Sequence, residues 1–182
     1  MEVEFMTIPV LKLETGEYRP YLQVEKFTYE NYGLILVKEF NWLYGLINEK
    51  GIELVSPKYG EIEYFQPNGL SIVKDKDCLL CGLINEEGVE LVSPKYGKIE
   101  NFQPNGLSIV WDKDCLLCGL INEEGVELVS PKYGEIEYFQ PNGLAIVHDK
   151  DTRLYGIINE KGAEILQPSY SLITIDWGYR IK

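Results

Sequence analysis

Four cysteines occur as two C-x-x-C pairs, a spacing that structural zinc sites use. Cys78 and Cys81 form the first pair, and Cys115 and Cys118 form the second. The second pair lies in a copy of the segment that holds the first, so it adds no independent evidence for a metal. The residues inside each pair are leucines on a predicted strand, where side chains three positions apart point to opposite faces. We therefore expect free thiols, no metal and no cofactor.

Other residues that could carry acid–base chemistry are few. His148 is the only histidine, and its position in the two preceding copies holds Lys74 and Trp111. A catalytic base is not expected at a position that accepts all three side chains. The carboxylates of Asp75 and Asp77 lie in a predicted turn, where solvated acidic residues are common. The sequence therefore predicts no catalytic residue, and we expect that the protein is not an enzyme.

These residues recur because the chain is largely one segment repeated several times. The repeats are residues 1–43 (degenerate), 44–80, 81–117 and 118–154 (nearly identical), and 155–182 (last and partial). A fixed period of this length is typical of repeat proteins, in which each unit buries its apolar residues against its neighbours. We predict a single repeat domain that spans residues 1–182.

Each repeat predicts three strands joined by short turns. In one copy the strands are residues 70–73, 78–85 and 89–92, and the last ends at Ser93-Pro94 because proline cannot donate to a ladder. Asn85 and Gly88 occupy the first and fourth places of the turn between the second and third strands, as a type I turn prefers. Three strands joined in this way form an antiparallel meander.

The two ends of the chain favour a closed ring. The start supplies a second and a third strand, beginning near residues 8–13, and residues 178–181 supply a first strand. Together they complete a fifth unit. We therefore predict an all-β fold of five repeats of about 37 residues, each a three-stranded antiparallel meander, arranged as a small closed propeller-like ring. An open superhelical β-repeat stack is the alternative, and a closed ring would favour a monomer.

Short motifs recur in the same order within each repeat. They are Tyr44-Gly45-Leu46-Ile47-Asn48 with Gly51, Val55-Ser56-Pro57 with Tyr59, and Phe65 followed by Gly69-Leu70 and Val73. This order resembles the bacterial WG-repeat family, and the resemblance implies an all-β repeat scaffold without catalytic residues. The tryptophan that names the family is replaced by Tyr44, Cys81, Cys118 and Tyr155. We expect these four side chains to occupy equivalent, largely buried positions.

The candidate binding residues are those that differ between the nearly identical repeats. Three sets of equivalent positions change in charge, size or polarity: Lys74, Trp111 and His148; Glu61, Lys98 and Glu135; and Tyr64, Asn101 and Tyr138. A packed position penalises such changes by ~1–3 kcal/mol, so we expect these variable positions to face solvent. Trp111, Tyr64 and Tyr138 would then form an exposed aromatic set that anchors a partner. Drift after duplication would explain the same differences without a partner.

The formal net charge of −12 limits the kind of partner. It argues against nucleic acid and against anionic membranes, since both carry negative charge themselves. No apolar run approaches the ~20 residues of a membrane span, and the first residues lack the features of a signal peptide. We expect a cytoplasmic protein.

Two functions remain. The first is a non-catalytic repeat scaffold that mediates protein–protein interaction, with an unknown protein bound at the variable positions. The alternative is lectin-like binding of a small molecule or glycan at repeated aromatic sites. The alternation of Tyr64, Asn101 and Tyr138 argues against equal sites, and so it favours the first function.

Overall fold

The computed structural model of the protein describes residues 9–26 and 33–173. These ranges contain strands and turns and no helix, and therefore none that could cross a membrane. The strands are β1 (Val10–Lys12), β2 (Tyr18–Pro20), β3 (Gln23–Lys26), β4 (Leu34–Lys38), β5 (Tyr44–Asn48), β6 (Glu53–Tyr59), β7 (Glu61–Ile62), β8 (Leu70–Lys74), β9 (Cys81–Asn85), β10 (Glu90–Tyr96), β11 (Lys98–Ile99), β12 (Leu107–Trp111), β13 (Cys118–Asn122), β14 (Glu127–Tyr133), β15 (Glu135–Ile136), β16 (Leu144–His148), β17 (Tyr155–Asn159) and β18 (Glu164–Tyr170).

The described strands form five separate sheets. Strands β1 and β2 make a two-stranded antiparallel sheet. Each of the other sheets contains four consecutive strands, namely β3–β6, β7–β10, β11–β14 and β15–β18, and each strand is hydrogen-bonded to the next. The prediction of an all-β fold built from repeated antiparallel strands is confirmed.

The prediction of a closed propeller-like ring is wrong. In the described ranges no sheet closes, and every sheet is built from strands that follow one another in the chain. Strand β1, which lies within the predicted closing strand 8–13, pairs with β2, so that Val10 faces Pro20. A partner only a short turn away costs little loop-closure entropy, so β1 is paired locally. The predicted partner, residues 178–181, lies outside the described residues.

The predicted three-stranded meander omits one strand that the structure contains, and it ends the third strand too early. A two-residue strand such as β11 adds a fourth member, because Lys98 pairs with Trp111 and Ile99 with Val110. The third predicted strand continues through its proline, as in β14. The register of β14 against β13 shifts between Cys118 and Leu120. Proline is tolerated at such a bulge, because no ladder hydrogen bond needs its missing N–H.

The second predicted strand starts three residues too early. Residues 78–80 belong to a turn, and β9 begins at Cys81. The Asp75 carboxylate accepts hydrogen bonds from the backbone N–H groups of Asp77 and Cys78, at 2.7 and 3.0 Å. Leu79 has φ +57°, in the left-handed region that a strand does not use. The aspartate therefore holds the backbone in a turn at the first cysteine of the pair.

The turn between the second and third strands is confirmed. The backbone N–H of Gly88 donates to the carbonyl of Asn85 at 3.0 Å, and the Asn85 side chain accepts from the N–H of Val89 at 2.8 Å. Gly88 has φ +78°, which favours glycine. A Cβ atom at Gly88 would lie 2.7 Å from the carbonyl oxygen of Leu54, in the preceding repeat. The turn glycine therefore also lets two repeats approach at backbone distance.

The chain divides into two compact units, Met1–Pro94 and Lys95–Lys182. Each unit has a core of strand residues from adjacent sheets. The first core includes the fully buried Leu46 and Val73, and the second includes the fully buried Val147. Because both strand faces supply buried residues, the sheets of a unit cover one another, as the apolar sequence pattern indicates.

A cluster of one lysine, one tyrosine and one glutamate joins successive repeats. The three inter-repeat clusters are Lys58, Tyr59 and Glu90; Lys95, Tyr96 and Glu127; and Lys132, Tyr133 and Glu164. In each, the tyrosine hydroxyl donates to the glutamate at 2.5–2.6 Å, and the lysine ammonium lies 4.8 Å from the tyrosine ring centroid. The hydrogen bond from Tyr96 is the main reason that the pKa of Glu127 lies below its usual value. Burial raises the pKa of each tyrosine.

The inter-repeat cluster predicts a stability that depends on acid. Because the folded state lowers the pKa of Glu127, its contribution is complete above the unfolded carboxyl pKa and is lost as the pH falls through the folded pKa. We expect Tyr96→Phe to lower the free energy of unfolding by about 1–2 kcal/mol at neutral pH, and by less in acid. Urea denaturation at several pH values measures both effects.

The matched control is Tyr170→Phe. Tyr170 is the equivalent residue of the last repeat, and it is 47% exposed where Tyr96 is 3% exposed. Its substitution should change stability by less than about 0.5 kcal/mol. Equal effects of the two substitutions at neutral pH would contradict a stabilising role of the cluster.

A second glycine in each repeat packs against the backbone of the next strand. A Cβ atom at Gly45 would lie 2.6 Å from the Val55 carbonyl oxygen and 2.9 Å from the Pro57 nitrogen. The register shift between Tyr44 and Leu46 places this glycine beside the bulge. A side chain at this position can be fitted only if the two strands separate.

We expect Gly45→Ala to lower the free energy of unfolding by about 2–3 kcal/mol, because backbone atoms would have to move to admit the methyl group. Lys50→Ala, at an exposed position of the same repeat, serves as the control and should change stability by less than about 0.5 kcal/mol. Denaturant midpoints measure both. A Gly45→Ala variant as stable as the control would show that the strands separate without cost.

Candidate functional site

Two of the three variable sets lie directly opposite one another. In the sheets that begin with β7, β11 and β15, the first two strands pair Glu61 with Lys74, Lys98 with Trp111, and Glu135 with His148, respectively. The expected exposure is confirmed for Glu61, Lys98 and Glu135 and for Tyr64, Asn101 and Tyr138, whereas Lys74, Trp111 and His148 are half-buried. Residues that differ between repeats therefore change together with their cross-strand neighbours.

The pair in the first nearly identical repeat is ionic. The Lys74 ammonium lies 2.8 Å from the Glu61 carboxylate and 3.2 Å from the Glu63 carboxylate. The hydrogen bond to Glu61 is the main reason that the pKa of Lys74 is raised. The charge of Lys74 is thus balanced within its own sheet, which leaves little of it for a partner.

In the third nearly identical repeat, His148 of the Glu135–His148 pair makes a ring contact with Tyr155. The rings of His148 and Tyr155 lie with their centroids 4.8 Å apart and are tilted by 42°. In the described ranges no group of three or more His, Cys, Asp or Glu side chains is placed to hold a metal. His148 therefore packs on a tyrosine, and the structure does not bring it into a metal or nucleophile cluster.

Within each C-x-x-C pair the two cysteines differ in exposure. Cys78 and Cys115 are exposed, whereas Cys81 and Cys118 are buried, and none of the four forms a disulfide. Burial raises the pKa of the Cys118 thiol to about 12, so the thiol stays protonated and unreactive at neutral pH. The predicted burial at this position of the repeat is confirmed for the two cysteines, whereas Tyr44, like its counterpart in the last repeat, is half-buried.

Trp111 lines a pocket of about 420 Å³ in the second unit. We call it the Trp111 pocket, and its walls are Glu100, Ile109, Trp111, Gly134, Glu135, Ile136, Glu137 and Tyr138. Strand β12 supplies one wall and strand β15 of the following repeat supplies another. The pocket thus lies between two successive repeats and combines aromatic, aliphatic and carboxylate groups.

The charge in the Trp111 pocket is negative. Glu100 accepts hydrogen bonds from the Lys98 ammonium at 2.9 Å and from the Tyr138 hydroxyl at 3.2 Å. The side-chain carboxylates of Glu135 and Glu137 receive no hydrogen bond and no ion pair from any residue that the structure describes. Two carboxylates therefore remain available to a ligand that donates hydrogen bonds or carries positive charge.

The aromatic surface of the pocket is mainly carbon. The indole N–H of Trp111 is buried and has no acceptor among the described residues. The part of the ring that reaches solvent is therefore apolar, whereas the Tyr138 ring is 61% exposed. Such surfaces stack on flat apolar groups of a ligand.

Sequence comparison between repeats found only part of this pocket. Trp111, Glu135 and Tyr138 belong to the variable positions, and the structure brings these three together. Glu100 and Glu137 were missed because the same glutamate occurs in every nearly identical repeat. Glu100 follows β11 directly, and only the folded structure places it close to the following repeat. The structure therefore shows that an invariant residue shares a pocket with the variable ones.

The five described sheets are built from copies of one repeated segment, and the protein is therefore of the all-β repeat class. The chain belongs to the WG containing repeat family, which matches residues 44–77, 82–110 and 119–148, together half of the chain. The match confirms the family resemblance. It carries no source organism, so a bacterial origin stays a prediction.

Solved structures were also compared with the chain. Kluyveromyces lactis Hsv2 with a complete loop 6CD is similar at a TM-score of 0.39 and 10% identity, over 82% of this chain and 51% of that one. A second structure of Kluyveromyces lactis Hsv2 gives 0.37 and 9%, over 79% and 51%. The chain thus spans about half the length of these proteins. The comparison with curated proteins gave no match.

The pairing of variable positions predicts an energetic coupling. Trp111→Lys alone would place two lysines opposite each other, and Lys98→Glu alone would remove the ion pair with Glu100. Together the two substitutions recreate the Glu61–Lys74 pair in an equivalent sheet.

We expect the double variant to be more stable than the sum of the single changes predicts, by about 0.5–1 kcal/mol. Urea denaturation of the four proteins measures this coupling. A coupling near zero would mean that the repeats differ without compensation.

Proposed function

We propose that this WG-repeat protein is a non-catalytic scaffold that binds a small molecule or glycan in the Trp111 pocket. The observation that carries the proposal is the combination in one cavity of an indole, a phenol and two unpaired carboxylates. Binding of a small molecule or glycan was the alternative function inferred from the sequence. The geometry of the pocket favours it over a protein interface built from all variable positions.

The size of the cavity supports a small ligand. A volume of about 420 Å³ lies in the range of small-molecule sites, at ~300–1,000 Å³. A specific protein interface needs about 800 Å² from each partner. The variable positions do not form such a set of equal contacts, because Lys74 is ion-paired and His148 packs on Tyr155.

The lining groups indicate the chemistry of the ligand. The Trp111 and Tyr138 rings suit the apolar face of a sugar ring or another flat group. Carboxylates accept hydrogen bonds, so Glu135 and Glu137 suit hydroxyl or amino groups. Their negative charge disfavours anionic ligands such as phosphorylated or acidic sugars. We therefore propose a neutral or positively charged ligand with several donors.

The lectin-like hypothesis changes in one respect. It assumed one aromatic site in each repeat, but the position of Trp111 holds Lys74 and His148 in the other nearly identical repeats. The proposal is thus for one site in the second unit, not a series of equal sites.

A protein partner is the second candidate. The rings of Tyr64 and Tyr138 are 63% and 61% exposed, and tyrosine is enriched among residues that dominate protein interfaces. A partner that inserts one side chain into the Trp111 pocket would use the same groups. Absence of catalysis and a cytoplasmic location stay predictions of the sequence.

A binding experiment tests the proposal. An array of neutral, amino and acidic glycans identifies ligands of the wild-type protein, and titration calorimetry measures the affinity of the best one. We expect the double variant with Trp111→Lys and Lys98→Glu to bind at least about 10-fold more weakly, since it replaces the indole by an ion-paired lysine.

Tyr64→Ala is the matched control, because Tyr64 is exposed at the position equivalent to Tyr138 but lies in the first unit. It should bind as the wild type does. Binding that prefers acidic glycans, or that survives the double variant, would contradict the proposed site. Failure of every array ligand, together with capture of a protein that needs Tyr138, would favour the second candidate.

A further inference from the structure

Two sheets of the protein begin with the same residues in the same backbone setting. Residues 61–64 and 135–138 both read Glu-Ile-Glu-Tyr. In each segment the N–H of the second glutamate donates to a carbonyl of the following strand at 2.9 Å. The first glutamate faces the last residue of that strand, which is Lys74 in one sheet and His148 in the other. The two sheets therefore present the same pair of carboxylates and differ in the side chain opposite.

In the sheet that begins with β7, this pair of carboxylates binds an ammonium group. The Lys74 ammonium lies 2.8 Å from the Glu61 carboxylate and 3.2 Å from the Glu63 carboxylate. Glutamates two residues apart on a strand point to the same face, so one ammonium group reaches both. The hydrogen bond to Glu61 is the main cause that raises the pKa of Lys74, and the one to Glu63 adds to it. The pair therefore favours a protonated amine.

The same pair in the sheet that begins with β15 has no cation of its own among the described residues. His148 lies against the ring of Tyr155, with the two centroids 4.8 Å apart. No lysine or arginine that the structure describes forms an ion pair with Glu135 or Glu137. Both glutamates are exposed, and both line the Trp111 pocket. A ligand in the pocket can therefore reach the two carboxylates that a lysine reaches in the other sheet.

We propose that the Trp111 pocket binds a ligand with a protonated primary amine, held between Glu135 and Glu137. This rests on the proposed function, since it names the group by which the pocket recognises its small ligand. A primary ammonium group has three N–H donors, and two carboxylates supply acceptors for them. The rings of Trp111 and Tyr138 line the same cavity, so the amine is carried by a flat apolar group, as in an arylalkylamine or an amino sugar.

A primary ammonium group fits this site better than two other cations do. A quaternary ammonium group has no N–H to donate, so it would be held by the ring faces and not by the carboxylates. A divalent metal ion such as Ca²⁺ takes about six or more oxygen ligands, and the described residues include no group of three or more His, Cys, Asp or Glu placed to hold a metal. Recognition should therefore depend on the N–H groups of the amine as well as on its charge.

Titration of the full chain with matched small probes is the test. Phenethylamine, phenethyl alcohol and the trimethylammonium derivative share one ring and differ in the polar group, and glucosamine and N-acetylglucosamine extend the comparison to a sugar. Amide NMR shifts measure the dissociation constants near neutral pH, where an alkylamine is protonated. We expect the primary amine to bind at least about 5-fold more tightly than the alcohol and the trimethylated amine. The tighter of the two amines shows whether an aryl group or a sugar carries it.

Two variants should remove the preference for the amine. Glu137→Gln keeps the shape of the side chain, and it should weaken binding of the amine at least about 5-fold and leave binding of the alcohol unchanged. His148→Lys recreates the arrangement of the other sheet, so its own ammonium should occupy the carboxylates, and amine and alcohol should bind within about 2-fold of each other. A lysine opposite a tyrosine is compatible with this fold, because Lys38 pairs with Tyr44 and lies 4.6 Å from its ring centroid.

Glu63→Gln is the matched control, because Glu63 is the equivalent residue of the other sheet and its carboxylate is bound to a lysine. It should bind every probe as the wild type does, and circular dichroism checks the fold of each variant. Equal affinities for amine and alcohol, a trimethylated amine that binds as tightly as the primary amine, or a preference that survives either variant would overturn the inference. Neutral glycans that still bind and need Trp111 would then leave the proposed function standing. Absence of all binding would overturn both.

Discussion

The close approach of a turn glycine to the strand of the preceding repeat is the constraint on which the structure depends. At Gly88 and Gly162 no side chain fits between the turn and the backbone it covers. This contact sets the separation of successive repeats. The tyrosine hydroxyl and the glutamate carboxylate of an inter-repeat cluster then meet at 2.5–2.6 Å. A wider spacing would leave a buried hydroxyl without its acceptor, at a cost of ~1–3 kcal/mol.

That spacing also creates the Trp111 pocket. Its walls come from two successive repeats, so a cavity of this shape needs both the fixed separation and a large side chain at one variable position. Lys74 and His148 occupy that position elsewhere and are each used within their own sheets. The scaffold is therefore nearly constant, and a few side chains on it decide where a ligand can bind.

Much of this fold could be predicted from the sequence, because repetition and strand patterning are local signals. The turn at Asn85 and Gly88 and the buried Cys118 were both deduced from residue types. The ring was wrong because it was inferred from the number of strands at the ends, whereas each described sheet consists of strands that follow one another in the chain and none closes. Sequence periodicity does not specify which edge a strand joins.

The candidate site was harder to predict for a related reason. Comparison of repeats identifies residues that vary, and Trp111 was found in this way. It gives no weight to a residue that never varies, such as Glu100, even where the neighbouring repeat turns that residue into part of a pocket. Nor does it show that Lys98 and Trp111 are opposite each other, since cross-strand register is a property of the folded sheet.

The equivalence of the inter-repeat clusters bears on how such a chain changes in length. Glu90 and Glu127 accept the same pair of groups from the repeat before them, with the same geometry. Removal of residues 81–117 by recombination would place Glu127 where Glu90 stands, and Tyr59 would find the acceptor it had before. Gain or loss of a whole repeat thus adds or removes one complete inter-repeat cluster and leaves the remaining clusters matched, so the number of repeats can change without creating a new kind of contact.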